Sequence, residues 1–139
     1  LLRLLMLMNW LAYHLKNGVN SGSVHTERND IIWLDFEPTK GREIGKYRPA
    51  LVLSSKAYNQ QTGLLICCPI STSIRGGITE VPINNLDKPS VVAASLIQTL
   101  SWRDRAAKKI TTAESQVMND VLYRLIPLIG GDKLLNIAT

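Results

Sequence analysis

Apolar residues fall along this chain in three kinds of spacing, and each predicts a different element. Residues 1–15 are almost wholly apolar, broken only by Arg3, Asn9 and His14. That run is too short to span a bilayer as a helix, and its polar residues share no single helical face. A thin charged n-region and the lack of a clear small-residue cleavage site in 17–26 argue against a secretory signal. The segment reads as an extension translated from an upstream start. A helix packed on the domain or on a second copy is the alternative. Residues 17–29, rich in Gly, Ser and Asn, read as a linker, with the domain proper at 30–139.

From residue 30 the spacing changes to that of short strands. β-Branched and aromatic residues at 31–36 predict a strand. Residues 37–47 contain Pro38, Gly41 and Gly45 and must form a loop, long enough to suggest a functional one. A second strand is expected at 49–54, with Pro49 at its first position because proline has no N–H for the ladder. One helical turn at 55–61 is closed by Gly63. The continuous apolar run 64–70 is the pattern of a buried strand, and 71–77 is a loop ending in Gly76-Gly77. Alternation at 78–83 predicts a strand, 84–90 a turn, and 91–101 one or two more strands. The spacing then becomes helical. Val117, Val121, Leu122, Leu125 and Leu128 form one stripe. Thr111 and Glu114 fit a capping box before it, and Pro127 and Gly130-Gly131 mark its end. Short strands followed by one amphipathic helix predict a small antiparallel β-barrel covered by a helix.

Composition changes this picture little. At 139 residues there is material for one core. The net charge of +5 and a pI of about 9.4 suit a polyanionic or acidic partner, and equally suit simple solubility. Cys67 and Cys68 are adjacent in an apolar strand, so their side chains point to opposite faces and make neither a disulfide nor a metal pair. No Cys/His spacing resembles a zinc site, and no metal or other cofactor is expected. Free thiols fit a reducing cytoplasm. The two histidines, His14 and His25, lie outside the patterned region.

The candidate chemistry lies where strands meet charged loops. Arg48 follows the long loop directly and precedes Pro49. It either pins the loop through an ion pair to Glu43 or Asp35, or offers its planar fork of donors to phosphate oxygens. Ser71 follows a buried strand. It is either a turn serine bonding its own backbone or a working hydroxyl, with Thr72 as its competitor. Glu43 is a solvated charge or a partner of Arg48. Lys40, Arg42, Lys46 and Arg75 are surface cations or phosphate partners. Tyr47 and Trp102 could stack on bases, although a Trp beside a strand end also suits a core.

The segments DIIWLDFEPTKGRE (30–43), YRPALVLS (47–54), CCPIST (67–72) and TLSWR (99–103), in this order and followed by the helical stripe, resemble the MazF/PemK family of bacterial toxin endoribonucleases. The resemblance runs from Asp30 to Ile129. It implies an SH3-like barrel, shared with the gyrase poison CcdB. It also implies a homodimer, a MazE-like antitoxin partner, single-stranded RNA as substrate and no membrane association. It places a catalytic arginine at Arg48 and a phosphate-binding hydroxyl at Ser71, where the family usually has threonine. Glu43, Lys46, Tyr47, Thr72 and Arg75 would then contact substrate. Cleavage would need no metal and would leave a 2′,3′-cyclic phosphate and a 5′-hydroxyl. One departure bears on the cleavage sequence. In Ser95-Leu96-Ile97-Gln98-Thr99, Leu96 stands where the family usually has Gln, and Gln98 where it has a base. Two other readings are open: a CcdB-like gyrase inhibitor, and a weakened toxin that mainly binds its antitoxin.

Overall fold

The computed structural model describes residues 1–16 and 26–135. Most of the chain builds seven strands in one strongly curled, mainly antiparallel sheet: β1 (Asp30–Asp35), β2 (Tyr47–Val52), β3 (Leu64–Ser71), β4 (Glu80–Ile83), β5 (Ser90–Ala93), β6 (Gln98–Ser101) and β7 (Lys108–Thr112). The sheet order is β4-β5-β3-β2-β1-β7, with β6 also on β3. β3 is the pivot. Leu64–Cys67 pair with β6, whereas Ile70 and Ser71 pair with β5. The sheet therefore splits along this strand and curls into a half-barrel, the β-rich architecture the pattern predicts.

Strand periodicity sorts the core into two layers. Ile31, Leu51, Cys68, Ile70 and Val92 lie on one face, closed by Val117, Val121 and Leu125 of α3 (Ser115–Leu128). Ile32, Leu34, Phe36, Ala50, Val52 and Cys67 lie on the other, with Trp102. Trp102 is thus a core residue. Its Nε1 donates to Asn59 O at 2.7 Å and it is 8% exposed, which removes it from the base-stacking candidates. The turn α2 (Lys56–Thr62) is capped by the Ser55 hydroxyl and closed by Gly63 at φ 72°, a left-handed conformation that suits glycine.

Several expectations are corrected. Thr111 and Thr112 do not cap α3. They belong to β7, which the spacing did not predict, and Thr112 Oγ1 donates to Asp30 Oδ1. α3 starts later, from Glu114, without a side-chain cap. Pairing of 108–112 with β1 satisfies more backbone groups than one capping bond could. Pro49 is the third residue of β2, not the first. The β3 ladder begins only at Ala50, so at Pro49 the strand has β1 as its paired neighbour and the missing N–H is tolerated. Ile78 lies outside β4 and is 88% exposed, because the turn after Gly77 extends to Glu80.

Thr26 to Asn29, read as the end of a linker, are bound into the domain. Arg28 Nε donates to Leu53 O, Asn29 Nδ2 to Ala113 O and Asn59 Nδ2 to Thr26 O. The rest of that segment, 17–25, lies outside the described residues. The apolar run forms helix α1 (Leu2–Lys16) against α2, and most of its apolar side chains stay exposed. A four-residue helix, α4 (Asp132–Leu135), follows α3.

Candidate nuclease cleft

Arg48 and Ser71 lie two residues past the end of the β2–β3 ladder. β2 and β3 pair Val52 with Cys67, Leu51 with Cys68 and Ala50 with Pro69. Carried on by two residues, the same register sets Arg48 opposite Ser71. Alternation puts both on the face of Ala50, Val52 and Cys67. Tyr47 and Thr72, one position away on each strand, take the opposite face.

On the Arg48–Ser71 side lies an open cleft of about 440 Å³. Ser71, Ser73 and Thr79 supply hydroxyls, Arg42 and Arg75 charge, and the 42–45 loop one wall. Arg48 does not itself line the cleft; it is tied to the 42–45 wall, its Nε donating to Gly45 O at 2.6 Å. Among the described residues it pairs with neither Glu43 nor Asp35, so its outer Nη groups have no protein partner. Partial burial lowers its pKa, yet a guanidinium stays protonated near neutrality. Ser71 Oγ accepts from Ser73 N at 3.0 Å. That turn uses one acceptor site and leaves the hydroxyl proton free to donate. The two readings of Ser71 are therefore compatible.

Both acidic side chains of the cleft are turned to backbone amides. Glu43 Oε2 accepts from Lys40 N at 2.7 Å, closing the loop's tip rather than meeting Arg48. Glu80 accepts from the amides of Arg75, Gly76 and Gly77 and so shapes the loop after Ser71. Glu80 was not singled out in the sequence. Its signal is an acid three residues after a Gly-Gly turn, in reach of three exposed amides. Ser95 and Leu96 line the same cleft, and a side pocket adds Ile97 and Gln98. The segment that departs from the family pattern is thus part of the site.

The remaining candidates are elsewhere. Tyr47 stacks on Trp33 at 5.5 Å and its hydroxyl donates to Ala106 O. Thr72 lines a second cavity of about 390 Å³ with Trp33 and Pro49, on the far side of the sheet. Lys46 is exposed at φ 72°, and its backbone rather than its side chain makes the described contacts. Cys67 and Cys68 are buried. Burial pushes both thiols up, Cys68 to about 12. Among the described residues no group of three or more His, Cys, Asp or Glu side chains could hold a metal ion, and no helix is long and apolar enough to cross a membrane.

Comparison with known proteins gives the same picture. The family model of the PemK-like, MazF-like toxin of type II toxin-antitoxin systems matches residues 27–129. The endoribonuclease toxin MazF of Escherichia coli (strain K12) is 36% identical over 104 residues, covering 75% of this chain and 94% of that protein. The crystal structure of MazF (Form-I) from Deinococcus radiodurans superposes with a TM-score of 0.75 at 37% identity, covering 78% of this chain and 99% of that one. That of MazE-MazF (Form-II) from the same organism gives 0.69 at 37% identity, covering 78% and 98%. With this fold, these motifs in order and a match over most of its length, the chain belongs to the PemK-like, MazF-like family of type II toxins.

Proposed function

We propose that the protein is a toxin endoribonuclease that cuts single-stranded RNA without a metal. The observation that carries this reading is a cleft walled by cations and hydroxyls and lined by Ser71, to whose 42–45 wall Arg48 is tied, with both residues two positions beyond the β2–β3 ladder in its register. The substrate's 2′-hydroxyl attacks the adjacent phosphorus and loses its proton as the P–O5′ bond breaks. The departing 5′-oxygen takes up a proton. The products are a 2′,3′-cyclic phosphate and a free 5′-hydroxyl. Arg48, fixed through Nε, turns its Nη donors to the phosphoryl oxygens where charge develops, an effect worth ~3–4 kcal/mol for one well-placed donor. Ser71 donates its hydroxyl proton to a phosphate oxygen. By family resemblance Arg48 also takes part in proton transfer. DNA lacks the nucleophile and should resist.

The MazF relatives are endoribonucleases by name, and one superposed structure is a MazE–MazF complex. The complex supports a cognate antitoxin here, one whose acidic segment covers the basic cleft walls; activity in the cytoplasm as a homodimer belongs to the same proposal. The test is single-turnover cleavage of an RNA oligonucleotide in EDTA, with end mapping of the products and the matching DNA as control. Cleavage of RNA only, with cyclic phosphate ends, supports the reading. A requirement for added metal, or no cleavage by folded protein, rejects it; gyrase inhibition without cleavage would instead favour the CcdB-like reading.

A further inference from the structure

We infer that Glu37 is a positioning residue for Arg48, acting through the peptide group between Gly45 and Lys46. The inference rests on the reading of Arg48 as the phosphate-binding group. Gly45 O and Lys46 N–H are the two ends of one planar peptide unit. Its N–H donates to Glu37 Oε1 at 2.9 Å, and its carbonyl accepts from Arg48 Nε at 2.6 Å. A carboxylate, a peptide and a guanidinium are therefore joined in line. The bond to Glu37 Oε1 fixes the plane of the peptide and so the direction of the carbonyl that holds Arg48. Arg48 is steadied through the peptide, and among the described residues its Nη edge is left for phosphate.

Three further observations show that this peptide is clamped. First, Glu37 is itself fixed. Its N–H donates to Asp35 Oδ1 at 3.0 Å, and its carbonyl accepts from Arg105 Nη1 at 2.8 Å. The same Nη1 donates to Asp35 O, and Asp35 N donates back to Arg105 O. Second, Lys46 has φ 72°, a conformation side-chain-bearing residues rarely take. It is held there from both sides, by Glu37 at its N–H and by Phe36 N at its carbonyl. Third, a Cβ added at Gly45 would lie 2.1 Å from Glu37 Oε1. Only glycine lets the carboxylate lie across the peptide. Without the carboxylate, the peptide plane can turn and take the Gly45 carbonyl away from Arg48.

The test combines kinetics with a direct view of the guanidinium. Glu37→Ala should slow single-turnover RNA cleavage by about 10- to 100-fold, the size expected when a catalytic group is displaced by a fraction of an ångström to an ångström. The loss should lie in the rate at saturating RNA rather than in the concentration giving half that rate. Glu37→Gln keeps an acceptor oxygen for Lys46 N–H and should recover activity to within about threefold of wild type. Gly45→Ala should resemble Glu37→Ala, and the double variant should be no worse than either single one. In ¹⁵N NMR spectra the Arg48 Nε–H, assigned by its loss in Arg48→Lys, should be protected from solvent exchange in wild type and Glu37→Gln. It should exchange fast in Glu37→Ala and Gly45→Ala. Circular dichroism and thermal melting confirm that each variant is folded. A protected Arg48 Nε–H in Glu37→Ala, or Glu37→Gln as impaired as Glu37→Ala, overturns the inference. Arg48→Ala is the separate control: full cleavage by that variant overturns the site, whereas the NMR comparison judges the clamp whatever the activity.

Discussion

Arg48 and Ser71 matter less for what they are than for what their neighbours leave undone. Arg48 uses one N–H on Gly45 O, and among the described residues its outer edge stays unengaged. Ser71 uses one acceptor site on Ser73 N and keeps its donor. Arg48→Ala should therefore cut RNA cleavage by about 10²-fold or more with the fold intact, as loss of a charge-stabilising donor predicts. Arg48→Lys should do nearly as badly, since a point charge lacks the fork. Thr72 faces the other side of the sheet and cannot replace Ser71. Ser71→Ala should then impair cleavage far more than Thr72→Ala, and Ser71→Thr should retain activity. Single-turnover kinetics separates these outcomes; equal losses at 71 and 72 would contradict the register. Leu96, which lines the cleft in place of a glutamine, is the position to change for specificity. Leu96→Gln should alter which sequences are cut in a long transcript more than how fast, read by mapping cleavage ends.

At the scale of elements, α3 shows how a helical stripe divides its work. Val117, Val121 and Leu125 are buried against the sheet, whereas Leu128 is 55% exposed. The stripe is therefore not one free ridge for a second copy, as Leu122, Leu125 and Leu128 together would suggest. Leu125→Ala should destabilise the fold by ~2–5 kcal/mol, and Leu128→Ala by ~0.5 kcal/mol or less, measured by urea unfolding. Helix α1 stands at the opposite extreme. It precedes the family match, lies against α2 and gives no described residue to either core layer. Removing residues 1–25 should leave cleavage within a few-fold. A loss as deep as that of Arg48→Ala would show that the segment completes the site or a dimer.

For the whole molecule, the two buried thiols couple the core to alkaline pH. Burial raises both pKa values, Cys68 to about 12. The folded state therefore holds its thiol protons where the unfolded chain has already lost them. Stability should be fully present below the ordinary thiol pKa and should decline above about pH 9, by up to ~1.4 kcal/mol per pH unit for each thiol. Urea midpoints across that range, compared with a Cys67→Ala/Cys68→Ala variant, test this; an unchanged slope in the variant would place the effect elsewhere. Association belongs to this scale too. An active protein that scatters light as a strict monomer at micromolar concentration would contradict the proposed homodimer.

Local signals made much of this protein legible from its residues. β-Branched and aromatic residues marked β1, a continuous apolar run marked β3, Ser55 and Gly63 bounded α2, and helical spacing marked the buried face of α3. Ordered motifs pointed to the family and to Arg48, Ser71 and Glu43. The signals failed where long-range pairing competed with local preference. Thr111 and Thr112 look like a helix start, yet β1 recruits them into β7 across some eighty residues of chain. Trp102 suits base stacking or a core from its sequence alone, and its burial and bond to Asn59 O decide for the core. Sequence could place Tyr47 and Thr72 near Arg48 and Ser71 along the chain. Only the pairing of β2 with β3 decided that they face away, because in a strand one step changes the face and the partner strand determines what lies across it.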